Sequence, residues 1–470
     1  METPSLKKNF TYSLLYQFLI LILPLITLPY ISRIFGSENI GIYTYTQTIA
    51  NFFLLFAMLG ILTHGTRAIA AARDNSESLS KTFKELFILK LFFSLTLTIL
   101  FILFSLFLAK DYKSIFLLQS FYVMSSIVNV NWFCFGMENF RLTTIRDTLV
   151  QIVSTTAIFI FVRSSEDLWI YTLILSSAQL ISALLVWPYV LKHTSRTKVD
   201  PESMLTHLKP LLILFIPILA ESIYLIMDKV MLGNMTTAEE LGYYECAVRI
   251  IVVPGVIIGA LNNTAMPRMA NFLSNKKSRD SEDLMDKMMV FCTMLGCGMA
   301  FGMAAVGQEF AVIFYGDAFT RTGLFLVLLS PAIILKCLSL TVRMQYIIPS
   351  GNDDLYVISI VSGAVLNLIL NFILIPGMQG VGAIIATLAA EFTAFLLEFV
   401  LCRRSIRSGR YLTDLLVFSI FGTAMYFLVR AIAHLAGGGI AGLALQVIGG
   451  AAAYILISAI FIQKRLHLIR

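Results

Sequence analysis

The sequence predicts an all-α protein that crosses a membrane about fourteen times. Hydrophobic residues make up 58% of the chain and charged residues 13%, and the mean hydropathy is +0.83. These values lie outside the range of soluble globular proteins. Apolar runs of about 20 residues, long enough to cross the hydrocarbon as a helix, recur along the whole chain. Runs such as LFFSLTLTILFILFSLFLA are apolar on every face, so the alternating pattern of a β-barrel is absent.

Short polar connections separate the predicted spans. The first span follows Lys7 and Lys8 and has no small-residue cleavage site, so we expect it to remain in the mature protein. Acidic turns, FGMENF and SGNDDL, follow the fourth and tenth spans. The predicted spans, in order, are 11–33, 40–63, 86–109, 114–136, 146–163, 168–191, 209–232, 241–266, 288–308, 322–348, 355–375, 380–402, 412–434 and 440–462.

The most polar connection before the middle of the chain is KHTSRTKVDPESMLTHLK, which follows six predicted helices. It predicts an N-terminal six-helix bundle at 1–197, a C-terminal six-helix bundle at 198–405, and helices 13 and 14 with a basic tail at 406–470. Residues 41–70 align without gaps on residues 242–271, the second helix of each half. Repeats of six helices share one topology, so we expect a pseudo-twofold axis along the membrane normal and a central cavity between the bundles.

Lys and Arg residues indicate the orientation of the chain, because they are enriched in cytoplasmic connections. Most of them fall on one side of the predicted topology, which places both termini in the cytoplasm. The net charge of +7 then lies mostly in loops that face an anionic leaflet, and it gives no reason to expect nucleic acid as a partner. The six cysteines are dispersed and the five histidines show no ligand spacing, so neither a disulfide framework nor a metal site is predicted.

Motifs for nucleotide hydrolysis and for common hydrolases are missing from the sequence. No Gly is followed by Lys, so the phosphate-binding loop GxxxxGK[ST] cannot occur, and neither HExxH nor GxSxG is found. No connection is long enough to fold into a catalytic domain. A conduit is therefore better supported than an enzyme.

Charged residues within the predicted helices are the candidate functional residues. Glu245 and Arg249 are four positions apart in GYYECAVRI, which places them on one face of a helix. A charge at mid-membrane costs about 2.5 to 3.5 kcal/mol even on lenient scales, so such residues must face protein or water. Two interpretations remain open, structural pairing with one another and exposure to a water-filled cavity. Lys90 lies near the end of its helix and is expected to snorkel to the interface.

Further charges recur at a spacing of seven, which is two helical turns, in the predicted C-terminal bundle. Each pair therefore forms a stripe on one helix face. The pairs are Lys336 with Arg343, Glu391 with Glu398, and Glu221 with Asp228.

Two stretches resemble a known family. LPYISRIFGSENIGIYTYTQTIANFFLLFAMLGILTHGTRAIAAARD resembles the opening of the Wzx-type polysaccharide flippases, in the multidrug/oligosaccharidyl-lipid/polysaccharide (MOP) exporter superfamily. MDKVMLGNMTTAEELGYYECAVRI resembles the seventh and eighth helices of that family. The positions that match the N-terminal pattern are Arg33, Gly36, Gly41, Tyr43, Gly60, Gly65 and Arg67.

The resemblance implies a MATE/MOP-like fold, a V-shaped pair of six-helix bundles followed by two C-terminal helices. It also implies transport of undecaprenyl-diphosphate-linked oligosaccharide units across the bacterial cytoplasmic membrane by alternating access, for capsule, exopolysaccharide or O-antigen synthesis. The implied partners are this lipid-linked substrate, membrane lipids, a polysaccharide polymerase and a chain-length regulator. No cofactor is expected, and the coupling ion is left open between H⁺, Na⁺ and none.

Within that family, a cationic cavity would receive the diphosphate. Arg249, Lys336 and Arg343 are the candidate diphosphate contacts, because fixed cations in a low dielectric bind such an anion strongly. The residues Arg33 and Asn263 are further candidates for the substrate cavity, and gating or fold roles are equally open for Arg33. Candidates for ion coupling or charge pairing are Glu245, Glu221 and Glu391.

Three other classes of protein compete with this interpretation, and one of them is a passive scaffold. A cation-coupled multidrug exporter of the same superfamily would need an anionic cavity. A polysaccharide polymerase or ligase would be expected to carry a large outward loop, which the sequence lacks.

Overall fold

The computed structural model is helical throughout the part of the chain that it describes. It describes the backbone of residues 6–109, 111–403 and 405–467, with side chains from residue 23 to residue 465 in these ranges. Here the α-helices are α1 Leu6–Met58, α2 Ile61–Ala72, α3 Ser76–Leu103, α4 Lys113–Val128, α5 Asn131–Gly136, α6 Phe140–Phe161, α7 Leu168–Leu184, α8 Trp187–His193, α9 Pro201–Thr206, α10 Leu208–Met235, α11 Ala238–Ser274, α12 Ser278–Tyr315, α13 Thr320–Val342, α14 Asp353–Met378, α15 Gly380–Cys402, α16 Ser408–Ala436 and α17 Ile440–His467.

The described ranges contain 13 helical stretches that are long and apolar enough to cross a membrane. The longest, Leu23–Ala72, overlaps two of the predicted spans, because α1 continues from the first into the second with a kink at Gly36. Gly36 has φ 66°, a left-handed conformation that L side chains rarely adopt. Every predicted span therefore has a counterpart, and the predicted all-α membrane fold is confirmed.

Several helices are longer than their apolar runs. The 37 residues of α11 measure about 55 Å, whereas the hydrocarbon is about 30 Å thick. Thr237 caps the start of α11, because its hydroxyl accepts a hydrogen bond from the backbone N–H of Glu240. Hydropathy identifies only the apolar middle of such a helix. Polar turns at its ends, closed by capping residues, extend the helix beyond the hydrocarbon.

The chain divides into two compact units, Met1–Val230 and Met231–Arg470. In the first unit α4 packs against α1, α3 and α7, and α2 packs against α3 and α5. Trp132 of α5 is fully buried, stacks on Phe83 at 5.4 Å and lies against Gly65 of α2. A Cβ at position 65 would stand 2.7 Å from the Trp132 ring, so this close approach of two helices requires glycine. The predicted boundaries at residues 197 and 405 stay predictions.

A break between α4 and α5 explains the position of Lys90. The side chain of Lys90 is buried, with 2% exposure, and its Nζ donates hydrogen bonds to the carbonyls of Ile127 (3.1 Å) and Asn129 (2.7 Å). These carbonyls lie where α4 ends and lack helical partners, so a cation is favourable there. The expectation that Lys90 snorkels to the interface is wrong, since the nearest unsatisfied acceptors lie inside the protein.

The second unit is organised around α12, which packs against α13, α16 and α17. Tyr454 of α17 is buried and donates a hydrogen bond to the carbonyl of Met294 at 2.8 Å. Arg465 and Asp414 form an ion pair at 3.0 Å that joins α17 to α16. The two C-terminal helices are thus part of the second unit and pack on its α12.

Large apolar side chains also cover the outer faces of many helices. Leu435, Phe107 and Ile440 are 88%, 76% and 77% exposed. Exposure on this scale across many helices indicates surfaces that face lipid.

Candidate functional site

The first candidate pair lies on α11. Arg249 Nε is 2.7 Å from Glu245 Oε1, one helical turn away, as the spacing in the sequence predicts. The Glu245 side chain is only 6% exposed, whereas that of Arg249 is 31% exposed. The carboxylate is therefore enclosed by the protein, while part of the Arg249 side chain is accessible.

The two stripes with a spacing of seven face each other. Lys336 Nζ of α13 is 3.3 Å from Glu391 Oε1 of α15. Seven residues further along each segment, Arg343, which directly follows α13, has its Nη2 2.9 Å from Glu398 Oε1 of α15. The shared spacing allows two neighbouring helices to align two cation–carboxylate pairs at once, and α13 and α15 are in contact.

The two pairs differ sharply in burial. The side chains of Lys336 and Glu391 are 35% and 8% exposed, whereas Arg343 is 19% exposed and Glu398 is fully buried. Glu398 also accepts hydrogen bonds from the hydroxyls of Ser339 (2.5 Å) and Ser359 (3.0 Å). Arg343 lies over the ring of Tyr356, 5.0 Å from its centroid. The Arg343 pair is therefore the hub of a closed polar network that holds helices together.

A second polar hub lies on α11 beside a predicted residue. Asn263 is exposed, whereas its neighbour Asn262 is fully buried. Gln345 donates hydrogen bonds through Nε2 to the carbonyl of Asn262 (2.9 Å) and to its Oδ1 (3.0 Å), and Asn262 Nδ2 donates to Thr341 Oγ1 at 3.3 Å. Sequence reasoning missed Asn262 and Gln345. The only signal in the sequence is the pair of adjacent asparagines, which does not show which one faces inward.

Two predicted residues belong to the first unit. Arg33 is exposed on α1, and its Nη1 donates a hydrogen bond to the carbonyl of Pro29 at 2.9 Å. Glu221 is exposed on α10. Arg249, Lys336 and Arg343 lie in the second unit, each within 3.3 Å of a carboxylate.

The arrangement combines fixed carboxylates with partly exposed cations. Arg249 and Lys336 can exchange a protein carboxylate for an external anion, because about a third of each side chain is accessible. Arg343 is already hydrogen-bonded to a fully buried carboxylate. Whether these residues face a substrate cavity stays a prediction.

A family model described as "Polysaccharide biosynthesis protein" matches residues 6–273. The chain belongs to the polysaccharide biosynthesis protein family. The matched residues cover more than half of the chain, from α1 to the end of α11. They include Arg33, Arg249 and the Gly-containing stretch on which the resemblance was based.

Two relatives of this polysaccharide biosynthesis family member carry the names of a transporter and a flippase. It is 23% identical over 403 residues to the putative O-antigen transporter of Escherichia coli K12, covering 84% of this chain and 97% of the relative. It is 27% identical over 161 residues to a probable low-salt glycan biosynthesis flippase of Haloferax volcanii, covering 34% of each chain.

Solved structures with the same fold belong to membrane transporters. A lipid II flippase in an inward closed conformation superposes with a TM-score of 0.75 at 16% identity, covering 98% of this chain and 100% of the other. An inward-facing multidrug transporter of the MOP superfamily has a TM-score of 0.60 at 13% identity, covering 84% and 99%. These likenesses establish the MOP fold. The predicted resemblance to Wzx-type MOP flippases is confirmed, and this family member is a multi-pass membrane transporter rather than an enzyme.

Proposed function

We propose that this protein is a flippase that moves undecaprenyl-diphosphate-linked oligosaccharide units across the bacterial cytoplasmic membrane by alternating access, for the assembly of a surface polysaccharide. Family membership and the names of the relatives support the polysaccharide class of substrate. The observation that carries the proposal is the partial exposure of Arg249 and Lys336 within membrane-spanning helices.

The chemistry of the substrate requires such cations. Its polyprenyl tail is apolar and stays in the lipid. Its head combines a diphosphate with sugars and cannot cross the hydrocarbon unaided. Charges and unpaired polar groups in hydrocarbon each cost several kcal/mol, so the transporter must supply replacement partners along the path. A guanidinium and an ammonium suit phosphate oxygens, the first through bidentate hydrogen bonds and the second as a point charge.

The substrate can bind by exchange, in which its diphosphate replaces a protein carboxylate as the partner of a cation. The pair of Arg249 and Glu245 is an i,i+4 contact, a type that stabilises a helix by only about 0.2–0.5 kcal/mol. A diphosphate can therefore displace Glu245 from Arg249, and Glu391 from Lys336. The released carboxylates are then free to take up H⁺ or Na⁺, which would couple the ion to substrate movement. Glu221, exposed on α10, is a third candidate for this role.

The remaining candidates have different roles in this proposal. Arg343 holds α13, α14 and α15 together through Glu398 and its two serine partners, and does not contact the substrate. Asn263 lies 14 residues after Arg249 on α11, about 21 Å along the helix and on nearly the same face. It can hydrogen-bond sugar hydroxyls beyond the diphosphate. We assign a gating role to Arg33, which lies in the first unit.

Topology and partners complete the proposal. The distribution of Lys and Arg supports both termini in the cytoplasm of a bacterial inner membrane. A polysaccharide polymerase and a chain-length regulator would act on the translocated units on the outer face.

A reconstituted transport assay tests the proposal. The full chain is placed in liposomes with fluorescent undecaprenyl-diphosphate oligosaccharide, and arrival in the opposite leaflet is followed by quenching. Arg249→Ala and Lys336→Ala should each lower the rate at least about tenfold, because each removes a charge-assisted hydrogen bond. Arg249→Lys should retain part of the rate. Lys113→Ala, which removes an exposed cation at the start of α4, is the matched control.

Wild-type rates from both alanine variants would refute the role of these cations. Movement of an organic cation by the wild-type protein, with no movement of the lipid-linked oligosaccharide, would instead favour the multidrug exporter.

A further inference from the structure

An open groove lies between α6 and α7 in the first unit, away from the charged pairs described above. Its volume is about 540 Å³, which falls within the range of small-molecule binding sites. Leu142, Ile145 and Leu149 of α6 form one wall, and Leu185, directly after α7, lines the groove from the other helix. The lining is therefore mostly apolar.

Polar contacts beside the groove hold the two helices together. Asp147 of α6 accepts a hydrogen bond from the hydroxyl of Ser182 of α7 at 2.7 Å. Arg146 lines the groove, but its side chain is only 5% exposed and donates hydrogen bonds to Asp147 (2.7 Å) and Asn131 (2.8 Å). The charge of Arg146 is thus compensated within the protein, and this residue serves as part of the wall.

The apolar wall of the groove faces the outside of the protein. Ile145, Leu149 and Leu185 are 41%, 58% and 52% exposed. The helix α6 is one of those long and apolar enough to cross a membrane, so we expect these side chains to face lipid. An occupant of the groove must therefore be compatible with hydrocarbon along most of its length.

The length of the groove matches one leaflet of a bilayer. Arg141, near the start of α6, lines one end, and Leu149 lies eight residues later, about 12 Å along the helix axis. Half of the hydrocarbon core of a bilayer is about 15 Å thick. A site with these dimensions suits a single phospholipid better than a second helix that spans the whole membrane.

The end of the groove at the start of α6 favours an anion. Arg141 is exposed there and can reach a headgroup at the boundary of the membrane. Both acidic residues at this end of α6 have another arginine beside them. Glu138 is 2.7 Å from Arg73, and Asp147 is 2.7 Å from Arg146. These two carboxylates are neutralised by other cations, so the potential around Arg141 attracts negative charge.

An apolar groove with a cation at headgroup level is complementary to an anionic amphiphile, and basic pockets between membrane helices bind anionic lipids. We propose that the groove between α6 and α7 binds one anionic phospholipid, whose phosphate contacts Arg141 and whose acyl chain lies along Ile145 and Leu149. In the proposed orientation of the chain, this lipid belongs to the cytoplasmic leaflet, where anionic lipids are found. The site does not depend on the transported substrate, so its failure would leave the proposed flippase function untouched.

Quenching by brominated phospholipids tests the site on the full chain in lipid nanodiscs. Leu149→Trp introduces a fluorescent reporter in the groove, and Leu416→Trp introduces a matched one on α16. Both leucines are exposed, at 58% and 66%, and they lie at similar distances from the start of their helices. The signal of the three native tryptophans is subtracted.

The groove reporter should distinguish the two lipids. Phosphatidylglycerol brominated on its acyl chains should quench Leu149→Trp at about a fivefold lower mole fraction than brominated phosphatidylcholine, because one cation at headgroup level favours an anionic lipid by about that factor. Leu416→Trp should show no such preference.

Substitutions of Arg141, made together with Leu149→Trp, identify the headgroup contact. Arg141→Gln should abolish the preference for phosphatidylglycerol, whereas Arg141→Lys keeps the charge and should retain most of it. Arg163→Gln is the matched control, since it removes an exposed arginine just beyond the other end of α6. It should leave the preference unchanged.

Equal quenching of Leu149→Trp by the two lipids would overturn the site, and so would an unchanged preference in Arg141→Gln. If Arg141→Gln cannot be purified in folded form, the comparison of Leu149→Trp with Leu416→Trp decides alone. Undecaprenyl-diphosphate oligosaccharide, added in an amount equal to the protein, should leave the quenching unchanged. Loss of quenching in Leu149→Trp alone would assign the groove to the polyprenyl tail of the substrate and overturn the phospholipid.

Discussion

Removal of the Glu398 carboxylate should lower the free energy of unfolding more than removal of most other charges in the second unit. Its carboxylate is fully buried and accepts hydrogen bonds from Arg343, Ser339 and Ser359. Glu398→Ala leaves Arg343 without a counterion at 19% exposure, and breaking a buried pair in this way costs about 3–5 kcal/mol. At roughly 2–4 °C per kcal/mol for a unit of this size, the unfolding midpoint should fall by roughly 6–20 °C.

The matched control is Glu391→Ala, one heptad away on the same helix. The Glu391 side chain is 8% exposed, but its partner Lys336 is 35% exposed, so the cation that Glu391→Ala leaves behind is less confined than Arg343 and the loss of unfolding free energy should be smaller. Loss of Glu391 should therefore shift the midpoint less than loss of Glu398. The two variants remove the same chemical group from the same helix, so the difference between them measures burial and hydrogen bonding.

Thermal unfolding can be followed with a thiol-reactive dye, because all six cysteines are buried and unpaired. A double variant, Arg343→Met with Glu398→Met, should recover part of the loss, since it removes both charges and keeps the volume. Equal shifts from Glu398→Ala and Glu391→Ala would refute the distinction between a closed network and an exchangeable pair.

Three further substitutions test the packing of each unit. Lys90→Met should lower the unfolding free energy by about 1–3 kcal/mol, because it leaves the carbonyl of Asn129 without its donor. Gly65→Ala should cost about 1–3 kcal/mol, since the added Cβ collides with the fully buried Trp132 ring. Asp286→Asn should cost about 1–3 kcal/mol, because the fully buried side chain loses its charge-assisted contact with Arg407, while Arg407 keeps Glu282 as a second partner. All three are read from the same thermal unfolding assay.

Each of these expectations can fail in its own way. A stabilised Lys90→Met protein would show that the cost of burying the ammonium outweighs its hydrogen bonds. An unchanged midpoint for Gly65→Ala would mean that α2 and α5 can move apart freely. A neutral Asp286→Asn would show that Glu282 alone is a sufficient counterion for Arg407.

Sequence patterns anticipated local features well. The spacing of Glu245 and Arg249 predicted their contact on α11, because residues four apart on a helix must be neighbours. The same rule placed Lys336 with Arg343, and Glu391 with Glu398, on common stripes. It could not show that one stripe faces the other, since that depends on how α13 and α15 lie side by side.

Contacts between side chains that are far apart in sequence were not predicted. His64 Nε2 is 3.0 Å from His207 Nδ1 although the two residues are 143 positions apart, and the five histidines of the chain show no spacing that would pair them. Lys90 was expected at the interface, because its place near the end of an apolar run says nothing about a helix break on a neighbouring segment.

The amino-acid sequence by itself determined that this chain spans a membrane many times, where its helices lie and which family it resembles. Each of these follows from the length of apolar runs and from contiguous motifs, which are local properties of the chain. Only the tertiary structure decided which charges are closed into networks and which stay accessible, and which distant histidines contact each other. Those outcomes depend on the lateral packing and rotation of helices, which are set by many weak contacts between segments distant in sequence.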